Sequence, residues 1–213
     1  MDIAIVLYEG LTALDAIGPY EVFGRVPGTT VTFVANEAGP LRTDTGRLGL
    51  HADAALADVT APDLVLVPGG PGQAAAMHDE DLFSWLRRVD ETTQWTTSVC
   101  TGSLILAGAG LLTGKRATTH WLAMEELARL GADAVAERVV FDGKLVTAAG
   151  VSAGIDMALA LVARMHGDAV AQAIQLGIEY DPQPPFDAGS PAKAPAEVVE
   201  FLRQYSRFEV EPA

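Results

Sequence analysis

The stretch "TTSVCTGSLILAGAGLL", residues 96–112, decides the fold. Thr96, Thr97 and Val99 are β-branched, so the run up to Cys100 reads as a strand. From Gly102 the residues turn small and apolar and read as a helix. Cys100, the one cysteine among 213 residues, falls at the junction. A strand that feeds directly into a helix is the unit of an open α/β sheet. In such sheets sites gather at the carboxyl ends of the strands.

Working outward, the same alternation repeats. Residues 3–7 and 64–67 are continuous apolar runs, as strands covered on both faces require. "TTVTFVAN" (29–36) and "WTTSV" (95–99) read as further strands, and "RATTH" (116–120) as a short one. "LTALDAIGPYEVFGRV" (11–26) reads as helical in part, with Gly18-Pro19 expected to interrupt it. "LRTDTGRLGLHADAAL" (41–56) is turn-rich, with room for short strands. "DEDLFSWLRRVDETT" (79–93) is an amphipathic helix with acids in its first turn. "WLAMEELARLGA" (121–132) is a helix stopped by Gly131. "ERVVFDGKLVTAAG" (137–150) is a hairpin turning at Asp142-Gly143. Helices follow at 152–167, 168–181 and 195–208, with a Pro-rich loop at 182–195 before the last. The pattern predicts a three-layer α/β sandwich around a mostly parallel sheet, in one domain spanning 1–213.

Composition narrows the partners. The formal net charge is −14, which repels phosphate backbones, so no nucleic-acid partner is expected. One cysteine excludes an intramolecular disulfide. No run suits a membrane span and "MDIAIVLYEG" lacks a basic leader, so a soluble cytoplasmic protein with no membrane partner is expected.

The chemistry concentrates at three turns. A residue at a sharp strand-to-helix turn projects its side chain out of the sheet, as in a nucleophile elbow. At a helix N-terminus a thiol is expected to ionise more readily. A lone cysteine is otherwise commonly a buried core residue. Thr101, Gly102 and Ser103 leave backbone N–H groups accessible, so the Thr101 amide can face a developing negative charge. "VLVPGGPG" (65–72) ends a buried strand with Gly69 and Gly70, which let backbone amides approach a ligand. It carries no phosphate-binding fingerprint. In "LTALDAIGPYEVF", Asp15 sits among Leu14, Ala16 and Ile17. Beside a thiol it would have its pKa raised and would share a proton with it. Glu21 is the competing carboxylate. His120 is the histidine placed to approach a strand end, and no spacing reads as a metal site.

Taken together, these segments resemble the ThiJ/PfpI superfamily, the class I glutamine-amidotransferase-like α/β fold. The resemblance runs through "LYEGLTALDAIGPYEVF", "DLVLVPGGPG", "TTSVCTGSLILAGAGLLTGKRATTHW", "ERVVFDGKLVTAAGVSAGIDMALAL" and "IQLGIEYDPQPPFDAGSP". Within the superfamily it is most similar to the isocyanide-hydrating branch. Asp15 stands where many members carry glutamate, and Thr101 follows the cysteine where the proteases carry histidine. The tail "QLGIEYDPQPPFDAGSP" is the most specific sign. Ala149 stands before Gly150 in a stretch that is more glycine-rich in the family.

The resemblance implies a flavodoxin-like sandwich with a mostly parallel central sheet and a cysteine nucleophile elbow. It matches Cys100 to the nucleophile, Asp15 to the acid/base and Thr101 to the neighbouring threonine. Gly150 and Val151 fall at a strand end beside the thiol, and Gly69 and Gly70 supply the oxyanion environment. It implies a cofactor-independent hydro-lyase that takes R–NC and water to an N-substituted formamide through a Cys100 thioimidate, with a small-molecule isocyanide as substrate. A homodimer is also implied, with the N-terminal helix and the loop Pro184, Pro185 and Phe186 as candidates for the interface or pocket rim. Three other readings stand beside it. One is a redox-sensing or stress protein of the same superfamily. Another is the amidotransferase-like domain of a regulator without its DNA-binding part. The third is a different hydrolase or a glyoxalase on the same fold.

Overall fold

The computed structural model describes residues 1–204; the end of the closing helix expected at 195–208 lies outside the described residues. The strands are β1 (Asp2–Val6), β2 (Thr30–Ala35), β3 (Gly39–Arg42), β4 (Gly49–Ala52), β5 (Ala54–Ala55), β6 (Leu64–Val67), β7 (Trp95–Val99), β8 (Arg116–Ala117), β9 (Asp133–Ala134), β10 (Val139–Asp142) and β11 (Leu145–Ala148). The helices are α1 (Ala13–Phe23), α2 (Gln73–Ala76), α3 (Glu80–Asp90), α4 (Gly102–Gly108), α5 (Met124–Arg129), α6 (Ala153–His166), α7 (Asp168–Gly177) and α8 (Ala196–Gln204). Seven strands form the central sheet in the order β10-β11-β7-β6-β1-β2-β5. Its pairs are parallel except β10 with β11, the expected hairpin, where Gly143 turns at φ 62°.

Alternation along the buried strands divides the core into two halves, because successive side chains point to opposite faces. Ile3, Ile5, Leu64, Leu66, Val146 and Ala148 pack with Phe23 of α1, Met157 and Leu161 of α6, and Ile174 of α7. Ala4, Val6, Val65, Val67 and Leu145 pack with Leu82 and Leu86 of α3, Ile105 of α4 and Leu127 of α5. This is the three-layer sandwich expected from the continuous apolar runs.

Local expectations are corrected in several places. α1 runs unbroken through Gly18-Pro19. A Cβ at Gly18 would lie 3.0 Å from Ile155 of α6, so glycine lets the two helices close up, and the Pro19 ring packs closely on Gly154 of the same helix. The burial gained there offsets the missing backbone hydrogen bond. "RATTH" contributes only the two residues of β8, paired with β9 outside the main sheet. The turn-rich stretch after β2 holds the small hairpin β3–β4. Among the described residues no helix is long and apolar enough to cross a membrane.

β1 has β2 on one side and β6 on the other, so the chain changes direction across the sheet at that point. A crevice opens there beyond the carboxyl ends of the strands. The connections leaving β1, β6, β7 and β11 meet in it.

Candidate active site

Cys100 is the hinge residue between β7 and α4, with φ 57°. This left-handed conformation is costly for a residue with a Cβ and persists only where neighbours over-determine it. Here they do. The Cys100 N–H donates to the carbonyls of Ala148 and Ala149, each at 3.0 Å. Its carbonyl accepts from the hydroxyls of Thr119 (3.0 Å) and Ser103 (3.2 Å). Gly102 lets the elbow sit against β6, since a Cβ there would lie 2.1 Å from the Val67 carbonyl oxygen.

Asp15, in the first turn of α1, is fully buried. Its Oδ2 accepts from the Gly69 N–H at 3.0 Å. Its Oδ1 is enclosed without an ordinary hydrogen bond, and the Cys100 thiol is the side chain that interacts with this carboxyl group. The next amide, Gly70 N–H, donates to Thr101 Oγ1 at 2.9 Å. The two glycines expected to face a ligand therefore grip the catalytic candidates instead. Gly69 is needed for that grip, because a Cβ there would stand 2.4 Å from the Thr101 nitrogen and 2.9 Å from Cys100 Cβ.

Electrostatics follow from burial. Desolvation raises the Asp15 pKa to about 7, against the pull of the Gly69 N–H and the thiol. Desolvation also pushes the Cys100 thiol well up, and the Asp15 charge pushes it further. The N–H groups of Val151 and Thr101, both directed at the sulfur, pull it partly back. This corrects the expectation of a readily ionised thiol: removal from water outweighs the helix terminus. Between them, thiol and carboxyl hold one proton when Asp15 has ionised.

The Ala149–Gly150–Val151 turn after β11 brings Val151, at φ 27°, against the sulfur. It borders a cavity of about 520 Å³ walled by His120, Trp121 and Met124. Arg138 lies at this cavity, paired with Asp156 of α6. The Pro-rich loop reaches the cavity through Gly189, Ser190 and Pro191, whereas Phe186 stays exposed. His120 lies at the site's edge, its Cδ2 within 2.8 Å of where a Gly150 Cβ would be. Burial lowers its pKa to about 4, so it is neutral at pH 7. Glu21 is not brought in; it pairs with Arg25 at 2.6 Å on the half-exposed outer side of α1.

Sequence reading missed Thr119 and Tyr8, and took Ser103 for its accessible backbone N–H and not for the hydroxyl that holds the Cys100 carbonyl. Thr119 stands beside His120 in "ATTH", but its role depends on a contact 19 residues away. Tyr8 stands two residues past β1, near the strand end that the fold rule marks as close to a site.

An open parallel sheet whose nucleophile elbow shares a proton with a buried carboxyl group defines a class of cysteine-centred α/β proteins. The DJ-1/PfpI family pattern matches residues 1–164, and the chain belongs to that family. It is similar to an isonitrile hydratase of Pseudomonas putida, 43% identical over 96% of this chain and 89% of that one. It is also similar to the HTH-type transcriptional regulator CdhR of Pseudomonas aeruginosa, 34% identical over 74% of this chain but 48% of the regulator. Among solved structures, a ThiJ/PfpI family protein from Pseudomonas syringae superposes with TM-score 0.93, at 38% identity over 96% of this chain and 85% of that one.

Proposed function

We propose that this chain is an isocyanide hydratase, converting R–NC and water to R–NH–CHO. The observation that carries the reading is the Cys100–Asp15 pair, fully buried behind Val151, which borders a cavity lined by both polar and apolar side chains. Its match to a hydratase along nearly the whole of both chains supports it. The terminal carbon of an isocyanide accepts a nucleophile and a proton on one atom, so a thiol and a base that relays its proton suit it.

In the first step the Asp15 carboxylate takes the Cys100 proton as the sulfur attacks the terminal carbon. Asp15 then places that proton on the same carbon, leaving the thioimidate R–N=CH–S–Cys. In the second step Asp15 removes a proton from water as its oxygen adds to the thioimidate carbon. The proton goes to nitrogen, the C–S bond breaks, and the hydroxyl proton returns to sulfur. The sum is R–NC plus H₂O to formamide, with enzyme regenerated. The Thr101 and Val151 N–H groups oppose the build-up of charge on sulfur. Gly69 and Gly70 hold Asp15 and Thr101 in place.

Complete burial and a raised thiol pKa weigh against a peroxide-sensing role, which needs an exposed thiolate. We place the enzyme in the cytoplasm, where reducing conditions keep the thiol free. A homodimer fits the exposed apolar side chains Leu176, Phe186 and Phe201.

The test is turnover of cyclohexyl isocyanide by wild type, Cys100→Ala and Asp15→Ala, with formamide quantified. Formamide from wild type alone supports the pair. A fully active Cys100→Ala protein sinks the mechanism, and a folded, reduced wild type that makes none sinks the substrate.

A further inference from the structure

A trans peptide unit carries its C=O and N–H on opposite sides, so a donor on the oxygen strengthens the hydrogen bond given by the nitrogen. The Pro68–Gly69 peptide is used at both ends. Tyr8 Oη donates to the Pro68 carbonyl at 2.8 Å. The Gly69 N–H of the same unit donates to Asp15 Oδ2 at 3.0 Å. Tyr8 lies 60 residues from Pro68, so this is a tertiary clamp. The peptide cannot rotate to improve one bond without losing the other.

We propose that Tyr8 is a positioning residue of the reaction: through the Pro68–Gly69 peptide it aims and polarises the N–H that steadies the Asp15 carboxylate, making that carboxylate a weaker base. The inference rests on Asp15 being the acid/base of the proposed hydration. Tyr8 suits the part because its phenol is fixed on that carbonyl, and burial, with the charges of Asp15 and Cys100, holds its pKa well above the ordinary value although the residue is only partly buried. It therefore remains a donor across the working pH range. Tyr8 also borders a second cavity, of about 550 Å³, to which no residue of α1 contributes.

Other groups bear on Asp15 without duplicating this clamp. Cys100 faces it from the elbow, and Asp44, bonded to Thr12 Oγ1 at 3.0 Å, raises its pKa from the loop after β3. α6 is packed on α1 but turns Ala153, Gly154 and Met157 to the core, while its Asp156 pairs with Arg138.

The experiment is a substrate-free ¹³C NMR titration of aspartate-labelled protein, with the Asp15 carboxyl resonance assigned from its loss in Asp15→Asn. In Tyr8→Phe the Asp15 midpoint moves up by about half a pH unit, the share expected of one bond in a polarised chain. In Tyr8→3-fluorotyrosine, a stronger donor of nearly the same size, it moves down. A midpoint unchanged in Tyr8→Phe, or displaced the same way in both variants, overturns the proposal. The acid limb of formamide production follows the same two directions. A titration that behaves as stated in a protein that makes no formamide overturns the isocyanide reading and leaves the clamp standing.

Discussion

Asp15 carries two burdens, being removed from water and set beside a thiol. Both bear on pH. In the proposed mechanism the thiol loses its proton to the carboxylate, so kcat/KM rises as Asp15 ionises, through about pH 7, and stays high until the far alkaline range where the thiol titrates. A pH–rate profile with its acid limb near 4 would contradict this. The same carboxyl group affects stability. Its folded pKa of about 7 exceeds the ordinary 3.8, so between those values the folded state binds more protons than the unfolded. Stability from this group is thus greatest at low pH and declines as pH rises toward 7, by roughly 4 kcal/mol at full extent. His120 acts in the opposite sense. Its folded pKa of about 4 lies below 6.5, so its contribution is lost as pH falls between them. Comparing wild type with Asp15→Asn cancels the histidine. The variant, nearly isosteric with the protonated acid, is more stable than wild type at pH 8, and its advantage shrinks toward pH 5 in urea unfolding. It also lacks the charge that raises the Cys100 pKa, so alkylation of Cys100, followed by intact mass, begins at lower pH. At this scale the identities of Cys100, Asp15 and Thr101 were legible from local context. The direction of the thiol's pKa was not, because complete burial is set by residues distant in the chain.

The elements meet through glycines at two turns, and the cost of filling them differs by place. Gly69→Ala forces a Cβ against the Thr101 nitrogen and Cys100 Cβ, so the turn after β6 must withdraw from the elbow. It destabilises by about 1–3 kcal/mol, as overpacking does, and lowers turnover further by moving the N–H that holds Asp15. Gly177→Ala, at the end of α7 with nothing within 4 Å of its Cβ position, leaves turnover unchanged and stabilises by about 0.5 kcal/mol. Equal losses in both variants would show that the close approach at Gly69 has no special role. The strand–turn–helix units were readable here because their apolar runs are continuous and their breaks are glycines. α1 was misread because Pro19 signals a break locally, while its packing on Gly154 comes from the other end of the chain.

On the scale of the whole molecule, α8 carries Val198, Phe201 and Leu202 yet buries none of its side chains, and Leu176 of α7 is 81% exposed. Two chains joined over such surface give a mass of twice 22.3 kDa by light scattering behind size exclusion, whereas a mass of 22.3 kDa throughout would refute the dimer. The layer architecture was legible from the alternation of elements, but cavity walls and exposed faces were not, since they join side chains from segments far apart in the chain. The elbow's anchoring has a consequence for synthesis. Asp15 meets Gly69 across 54 residues and Gly70 meets Thr101 across 31, so both contacts can form once α4 has left the ribosome. The backbone partners of Cys100, Ala148 and Ala149, are translated almost fifty codons later. A nascent chain arrested before β11 therefore holds the elbow by its carbonyl side alone, through Thr119 and Ser103, and lacks the bonds that fix the Cys100 N–H. Synchronised cell-free translation should give active protein only after those codons are read, and activity from chains halted at residue 135 would show that the elbow holds its shape unaided.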